Sequence, residues 1–313
     1  MPVPPPRPGP SVSAVIATRD RPQLLVRAVE AVLTQDYDGA IEAVVVFDQS
    51  RPDGALVARL ESLTGERRRV VVIANSRASG LAGARNTGLA AATGDYAAFC
   101  DDDDVWLPGK LQTQMDALLV APDAWFCAGG VEIDVRGRRH RRLADARLVT
   151  LRELVSDRVT ALHPSTFVFE RERVVEIGGL DEALPGSYGE DYDLLLRVAR
   201  ESPVLALAGP LATVYWHSGS FFADRWRTIA AAHSYLRAKH PEFAGESADS
   251  AWLDGKTAFA MAASGQRGQA WRLARSVLRH KPSQKQALAS LVVMAGVPAQ
   301  WIQRSAQALG RGV

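Results

Sequence analysis

Tyr96-Ala97-Ala98-Phe99-Cys100 runs directly into Asp101-Asp102-Asp103-Asp104, and Val105-Trp106 follows at once. The first five residues are apolar or aromatic and read as a short strand buried on both faces. Four adjacent carboxylates in open water would form a solvated loop. Here they leave a buried strand and re-enter apolar sequence, so their charges lie against the edge of a core. That is unfavourable unless a cation or a positive ligand compensates it. The whole chain is close to neutral, with 37 Lys and Arg against 35 Asp and Glu for a net charge of +2, so the run is a local feature.

Working back from this stretch, the chain alternates between two periods. Short apolar runs at 12–17, 42–47 and 70–74 read as buried strands. Between them lie helical patterns at 22–33, 55–63 and 82–92, the first opened by Asp20 and Pro22 and apolar at Leu25, Ala28, Val29, Val32 and Leu33. Strand–helix alternation of this kind builds a parallel sheet with helices on both faces, an α/β fold. Working forward, the spacing predicts a helix over 107–119, strands near 124–135, 166–170 and 211–216, and a helix over 192–201. Arg136 to Arg142 are assigned to a turn. From about residue 220 the pattern is wholly helical, at roughly 223–239, 249–263, 267–280, 284–295 and 299–308. The stretches 255–265 and 269–282 resemble one tetratricopeptide helix pair, and one copy does not make a repeat.

Composition narrows the class. Hydrophobic residues at 47% and charged residues at 23% exclude disordered and collagen-like chains. Two cysteines, Cys100 and Cys127, cannot build a disulfide framework and read as buried apolar residues of a reducing compartment. The first ten residues carry six prolines and lack a signal-peptide core, so 1–10 is expected to be a disordered tail. No apolar stretch reaches the roughly 18 residues of a membrane helix. A cytoplasmic protein, at most peripheral to a membrane, is therefore expected.

In a doubly wound sheet, ligands bind beyond the carboxyl ends of the strands. Thr18-Arg19-Asp20 follows the first strand, Asp48-Gln49-Ser50 the second and the aspartate run the fourth. These residues are expected to wall one crevice. Carboxylates offer hard oxygen ligands for Mg²⁺ or Mn²⁺, with Asp101 and Asp103 the leading candidates. Asp104 is read as an alternative cap for the helix near Leu107. Such a cation beside a pyrophosphate would stabilise a departing nucleoside diphosphate. Asp191 opens a helical pattern and is read either as a general base or as an N-cap or first-turn acid.

Several motifs occur in a set order: Val15-Ile16-Ala17-Thr18-Arg19-Asp20-Arg21-Pro22, Val44-Val45-Val46-Phe47-Asp48-Gln49-Ser50, Gly83-Ala84-Arg85-Asn86-Thr87-Gly88 and Gly94 to Asp104. They continue with Gly178-Gly179-Leu180-Asp181-Glu182, Gly189-Glu190-Asp191-Tyr192-Asp193-Leu194 and His217. With this set the chain resembles an inverting family-2 glycosyltransferase of the glycosyltransferase-A (GT-A) fold over about 12–220. The resemblance implies a mostly parallel, Rossmann-like nucleotide-binding sheet flanked by helices in 11–220. Its nucleotide-sugar half spans 11–106 and its acceptor half 107–220, with an α-helical extension over 221–313. It implies that Thr18, Arg19 and Asp48 line the nucleoside pocket and that Arg85 lies near the base or phosphates. Asp101 and Asp102 would meet the ribose and the donor sugar, and Asp103 and His217 would hold Mn²⁺ or Mg²⁺. Asp191 would be the general base, with Glu190 beside it. The donor implied is a UDP- or dTDP-sugar, although Gln49 replaces the usual second acidic residue after Asp48.

The acceptor stays open among a saccharide, a lipid-linked sugar, a small molecule and a peptide. The C-terminal helices are assigned to the acceptor side or to a homo-oligomer interface. His163, before Pro164-Ser165-Thr166, is read either as facing the acceptor or as a turn residue. Two rival classes remain. A sugar nucleotidyltransferase needs a Gly-rich basic loop after the first strand, and Thr18 to Pro22 contains no glycine. A non-enzymatic module binding anionic surfaces through Arg136 to Arg142 is the other; that stretch has no aromatic residue for base stacking, and no nucleic-acid partner is expected.

Overall fold

The computed structural model describes residues 9–145, 148–216, 225–244 and 249–308. The first half alternates as β1 (Val12–Thr18), α1 (Pro22–Leu33), β2 (Ile41–Phe47), α2 (Gly54–Glu61), β3 (Arg68–Ala74), α3 (Leu81–Ala91) and β4 (Tyr96–Phe99). Every residue of β2 is buried, as a strand covered on both faces must be. Alternate side chains serve opposite cores. Val15, Val44 and Val46 join Ala84 and Leu89 of α3 on one face. Ala14, Ile16 and Val45 join Leu25, Val29 and Val32 of α1 on the other. Helix α3 lies so close to the sheet that a Cβ on Gly88 would collide with Val15 Cγ1.

The second half contains β5 (Val105–Trp106), α4 (Lys110–Leu119), β6 (Phe126–Val135), β7 (Arg138–Arg142) and β8 (Leu148–Val149). It continues through α5 (Leu151–Ser156), β9 (Val168–Glu170), α6 (Arg171–Glu176), α7 (Glu190–Glu201) and β10 (Val204–Tyr215). The sheet runs β3-β2-β1-β4-β9-β6-β10-β5, with β7 on β6 and β8 on β10. Strands β3, β2, β1 and β4 are mutually parallel, whereas β9 is antiparallel to both neighbours. Because β2 and β4 flank β1 on opposite sides, the strand order reverses beside β1. A crevice therefore opens beyond the carboxyl ends of β1 and β4.

The helical remainder is α8 (Trp226–Lys239), α9 (Ala251–Ala263), α10 (Arg267–His280), α11 (Lys285–Met294) and α12 (Ala299–Ala308). Trp252 and Leu253 of α9 and Leu236 of α8 share a core with Tyr192 of α7. Trp252 Nε1 also donates to the Val155 carbonyl at 2.8 Å.

Several details differ from the sequence reading, three of them with a clear cause. Arg138 to Arg142 form a strand paired with β6 rather than a turn, and only 136–137 reverse the chain. Arg139 and Arg141 bond to Glu132 across that hairpin, which accounts for the pairing. Helix α4 starts at Lys110, three residues late, because Val105 and Trp106 are held as β5 against Thr213 and Ala212 of β10. Strand β10 begins at Val204 rather than 211 and passes Gly209-Pro210 through two register shifts.

Candidate active site

The aspartates occupy the turn between β4 and β5, closed by the Asp104 N–H donating to the Asp101 carbonyl at 3.1 Å. Thr18, at the end of β1, donates from Oγ1 to Asp102 Oδ2 at 2.7 Å, spanning the switch point. Arg21, just before α1, places Nη1 3.2 Å from Asp102 Oδ1 and 2.7 Å from Asp103 Oδ2. Burial pushes the Asp102 carboxyl up to about 6, against the pull of Thr18 and Arg21. At the end of β2, Asp48 accepts from Asn75 Nδ2 at 2.8 Å, Gln49 Nε2 at 2.9 Å and the Gly80 N–H at 3.1 Å. Arg19 is half exposed, with its Nε 3.9 Å from Asp20 Oδ2.

Arg85 of α3 is buried and joins the two halves of the site. Its Nη2 donates to Asp101 Oδ1 and its Nη1 to Glu190 Oε1, both at 2.5 Å. The guanidinium also lies over the Phe99 ring, 4.8 Å from its centroid. Glu190 and Asp191 form the first turn of α7, whose N-cap is Gly189 in a left-handed conformation (φ +83°). Asp191 is thus a first-turn acid and not the cap. Its Oδ2 accepts from Arg158 Nη2 at 2.6 Å. Burial opposes ionisation of Asp191, yet the Arg158 and Arg85 guanidinia hold its carboxyl below the usual range. Burial pushes Glu190 up to about 8, with Arg85 opposing and neighbouring Asp191 adding to the rise.

Among the described residues, Asp101, Asp104 and His163 place ligand atoms within 4.8 Å of one another. Two carboxylates and an imidazole make a donor set suited to a divalent cation. Each of the three is already held by a protein donor. Asp101 is on Arg85, Asp104 Oδ2 accepts from Ser165 Oγ at 2.5 Å, and His163 Nδ1 accepts from the Ser165 N–H at 3.3 Å. His163 therefore shapes its turn and faces the aspartates, 3.6 Å from Asp104 Oδ2. Asp104 is buried against Ser165 and does not cap α4, whose N-cap is Gly109.

Of the residues singled out in the sequence, the fold gathers Thr18, Arg85, Asp101, Asp102, Asp103, Glu190 and Asp191 by direct contacts or through shared arginines. Asp48 lies at the neighbouring strand end. His217 falls outside the described residues. The sequence reading missed Arg158, Ser165 and the role of Arg21. Arg21 sits inside a quoted motif and could have been found there, whereas nothing local marks Arg158 as the partner of a residue 33 positions away. Arg158 also lines a small cleft with Tyr188, Tyr192, His233, Trp252 and Lys256.

A switch-point crevice walled by aspartates, over a sheet continued by helices, is the architecture of the GT-A fold, and the solved structures it resembles share that fold. A mannosyltransferase from Pyrobaculum calidifontis, solved with GDP-Man and Mn²⁺, superposes with a TM-score of 0.56 at 17% identity over 95% of this chain and 89% of that one. Residues 1–349 of S. aureus TarS with UDP-GlcNAc superpose at 0.57 and 16% identity, over 90% and 79%. The profile of glycosyl transferase family 2 matches residues 13–174, more than half of the chain, and the protein belongs to that family. Among curated relatives, the Escherichia coli UDP-Glc:alpha-D-GlcNAc-diphosphoundecaprenol beta-1,3-glucosyltransferase WfgD is 26% identical over 63% of this chain and 72% of its own length. The succinoglycan biosynthesis protein ExoO of Rhizobium meliloti is 33% identical over 59% of this chain and 55% of its own. No helix among the described residues is long and apolar enough to cross a membrane.

Proposed function

We propose that this glycosyltransferase is an inverting, divalent-metal-dependent enzyme that moves a sugar from a UDP- or dTDP-sugar to an acceptor hydroxyl. The observation carrying this reading is the ion-pair chain Asp101–Arg85–Glu190, which couples the aspartate turn to the helix start bearing Asp191. Such a chain fixes a donor site and a proton acceptor relative to each other, and orientation of this kind supplies much of the rate of a displacement. Asp48 and Thr18 would line the nucleoside pocket, with Arg19 at its rim, and Asp101 and Asp102 would meet the ribose and donor sugar.

In the transfer, the acceptor oxygen forms a bond to the anomeric carbon as the bond to the diphosphate oxygen breaks. The diphosphate leaves with that electron pair. The acceptor proton passes to Asp191, which Arg158 keeps ionised as a base must be. Attack opposite the leaving group inverts the anomeric centre. Mn²⁺ or Mg²⁺ would supply Lewis-acid neutralisation of the diphosphate charge. Asp103 is the proposed ligand, with His217. It is a quarter exposed, and its partner Arg21 is a third exposed, a guanidinium that can be released to solvent. The Asp101–Asp104–His163 set is more deeply committed to Arg85 and Ser165.

Thermal-shift screening of UDP, dTDP, GDP and CDP with and without Mn²⁺ tests the reading. A ligand that binds the folded state raises the melting temperature by an amount that grows with the logarithm of its concentration over its Kd. UDP or dTDP should stabilise in a metal-dependent way, and no such shift with any of the four sinks the assignment. Asp191→Asn should lower turnover by roughly 10²–10⁴-fold while the donor shift persists.

A further inference from the structure

Between Gly255 and Val313 the chain carries nine basic residues and no Asp or Glu. With a total of +2, the preceding 254 residues therefore hold a net charge of −7. The near-neutral chain is a dipolar one, acidic through the sheet and basic through its last helices. Helices α10 and α11 both pack on α9 and on each other, which leaves their outer faces open. Helix α10 buries Ala270, Ala274 and Val277, and Arg272, Arg275 and Arg279 stand exposed on the opposite side. Trp271 flanks that arginine face and is 53% exposed. On α11 the exposed residues Lys285, Leu288 and Val292 follow one another at helical spacing.

We infer that this face docks on an anionic phospholipid bilayer. Basic residues around exposed tryptophan and aliphatic side chains are what an interfacial helix needs: charge to approach negative headgroups, and rings and methyls to enter the boundary below them. The arginines of β6–β7 are a poor alternative. Arg139 and Arg141 are paired with Glu132, and Arg142 lies over Trp216. In contrast, no described carboxylate pairs with Arg272, Arg275 or Arg279. A second copy of the chain fits this face less well, because a two-fold contact would set like charges against each other. An RNA would leave Leu288 and Val292 without a role.

The inference does not depend on the transfer chemistry, so its test is separate from the nucleotide screen. The full chain is sedimented with vesicles of phosphatidylcholine alone and of phosphatidylcholine mixed with phosphatidylglycerol. The expected result is binding to the mixed vesicles only, released as salt rises to about 1 M and the screening length falls to about 3 Å. Each basic residue at the surface contributes roughly fivefold in partitioning, so the triple variant Arg272→Glu, Arg275→Glu, Arg279→Glu should lose at least roughly 100-fold. Trp271→Ala or Trp271→Ser should weaken binding without removing its salt dependence. An unchanged circular-dichroism spectrum and a melting temperature like that of the wild type show that each variant is folded. No binding, equal binding to both vesicle types, or full binding by the folded triple variant overturns the proposal. So does light scattering that shows a dimer dissolved by the same substitutions, or RNA binding that is unaffected by the tryptophan substitutions and excludes vesicles.

Discussion

Asp191 shows how much a single neighbour decides. A first-turn carboxylate at a helix N-terminus already favours ionisation, and Arg158 at 2.6 Å strengthens that preference. The same guanidinium that keeps Asp191 charged lowers its affinity for a proton, so if Asp191 is the base proposed above, Arg158 sets where activity falls on acidification. Arg158→Ala should move the acidic limb of the kcat/KM profile upward in pH while leaving donor affinity in place. A limb that stays where it is in the wild type would take the titrating role away from Asp191. The aspartate turn offers a second contrast. If Asp103 holds the metal as proposed, Asp103→Asn should remove the Mn²⁺-dependent gain in UDP affinity and His163→Ala should keep it, because His163 is engaged with its own turn through Ser165. The opposite pattern, measured as Mn²⁺-dependent UDP affinity, would transfer the metal to Asp101, Asp104 and His163.

At the scale of elements, α7 depends on a backbone position rather than a side chain. Gly189 caps it at φ +83°, a conformation that costs an L-residue about 1–2 kcal/mol. Gly189→Ala would also bring a Cβ to 3.4 Å from Leu236 Cδ1. The expected outcome is a melting temperature lower by a few degrees and a reduced kcat, as the turn carrying Glu190 and Asp191 shifts; calorimetry and steady-state kinetics check both. Elements of the first half could be read from sequence because continuous apolar runs such as 41–47 have no other stable place than a two-faced sheet. Strand β10 was cut short because Gly209-Pro210 reads as a break, and its pairing with β6 absorbs both residues as irregularities. Strand β5 is two residues long and exists only through β10, so no local pattern announces it. The site followed the same division. Carboxylates at strand ends were visible as positions, whereas Thr18–Asp102 and Arg158–Asp191 are pairings that only the folded chain creates.

Across the whole molecule, the sheet and the helical remainder are tied by one buried carboxylate. Asp193 of α7 is fully buried and meets Arg197 Nε at 2.8 Å, Lys239 Nζ at 2.6 Å and His240 Nε2 at 2.8 Å, the last two at the end of α8. Burial alone would raise its pKa, but His240, Arg197 and Lys239 hold the carboxyl well below the usual range. A carboxyl depressed in the folded state binds protons more readily in the unfolded chain. Its stabilisation is therefore present above the unfolded value of about 3.9 and is lost as pH falls through the folded one. Removing one member of a buried ion cluster leaves the others uncompensated, at a cost of about 3 kcal/mol or more. Asp193→Asn should therefore destabilise the protein by that amount at neutral pH, and its stability should fall less steeply than that of the wild type as pH drops below about 4. Urea unfolding at pH 7 and in acid measures both. Equal slopes in acid for variant and wild type would mean that α8 is held to α7 by the shared core of Leu236, Phe243 and Tyr192 rather than by charge.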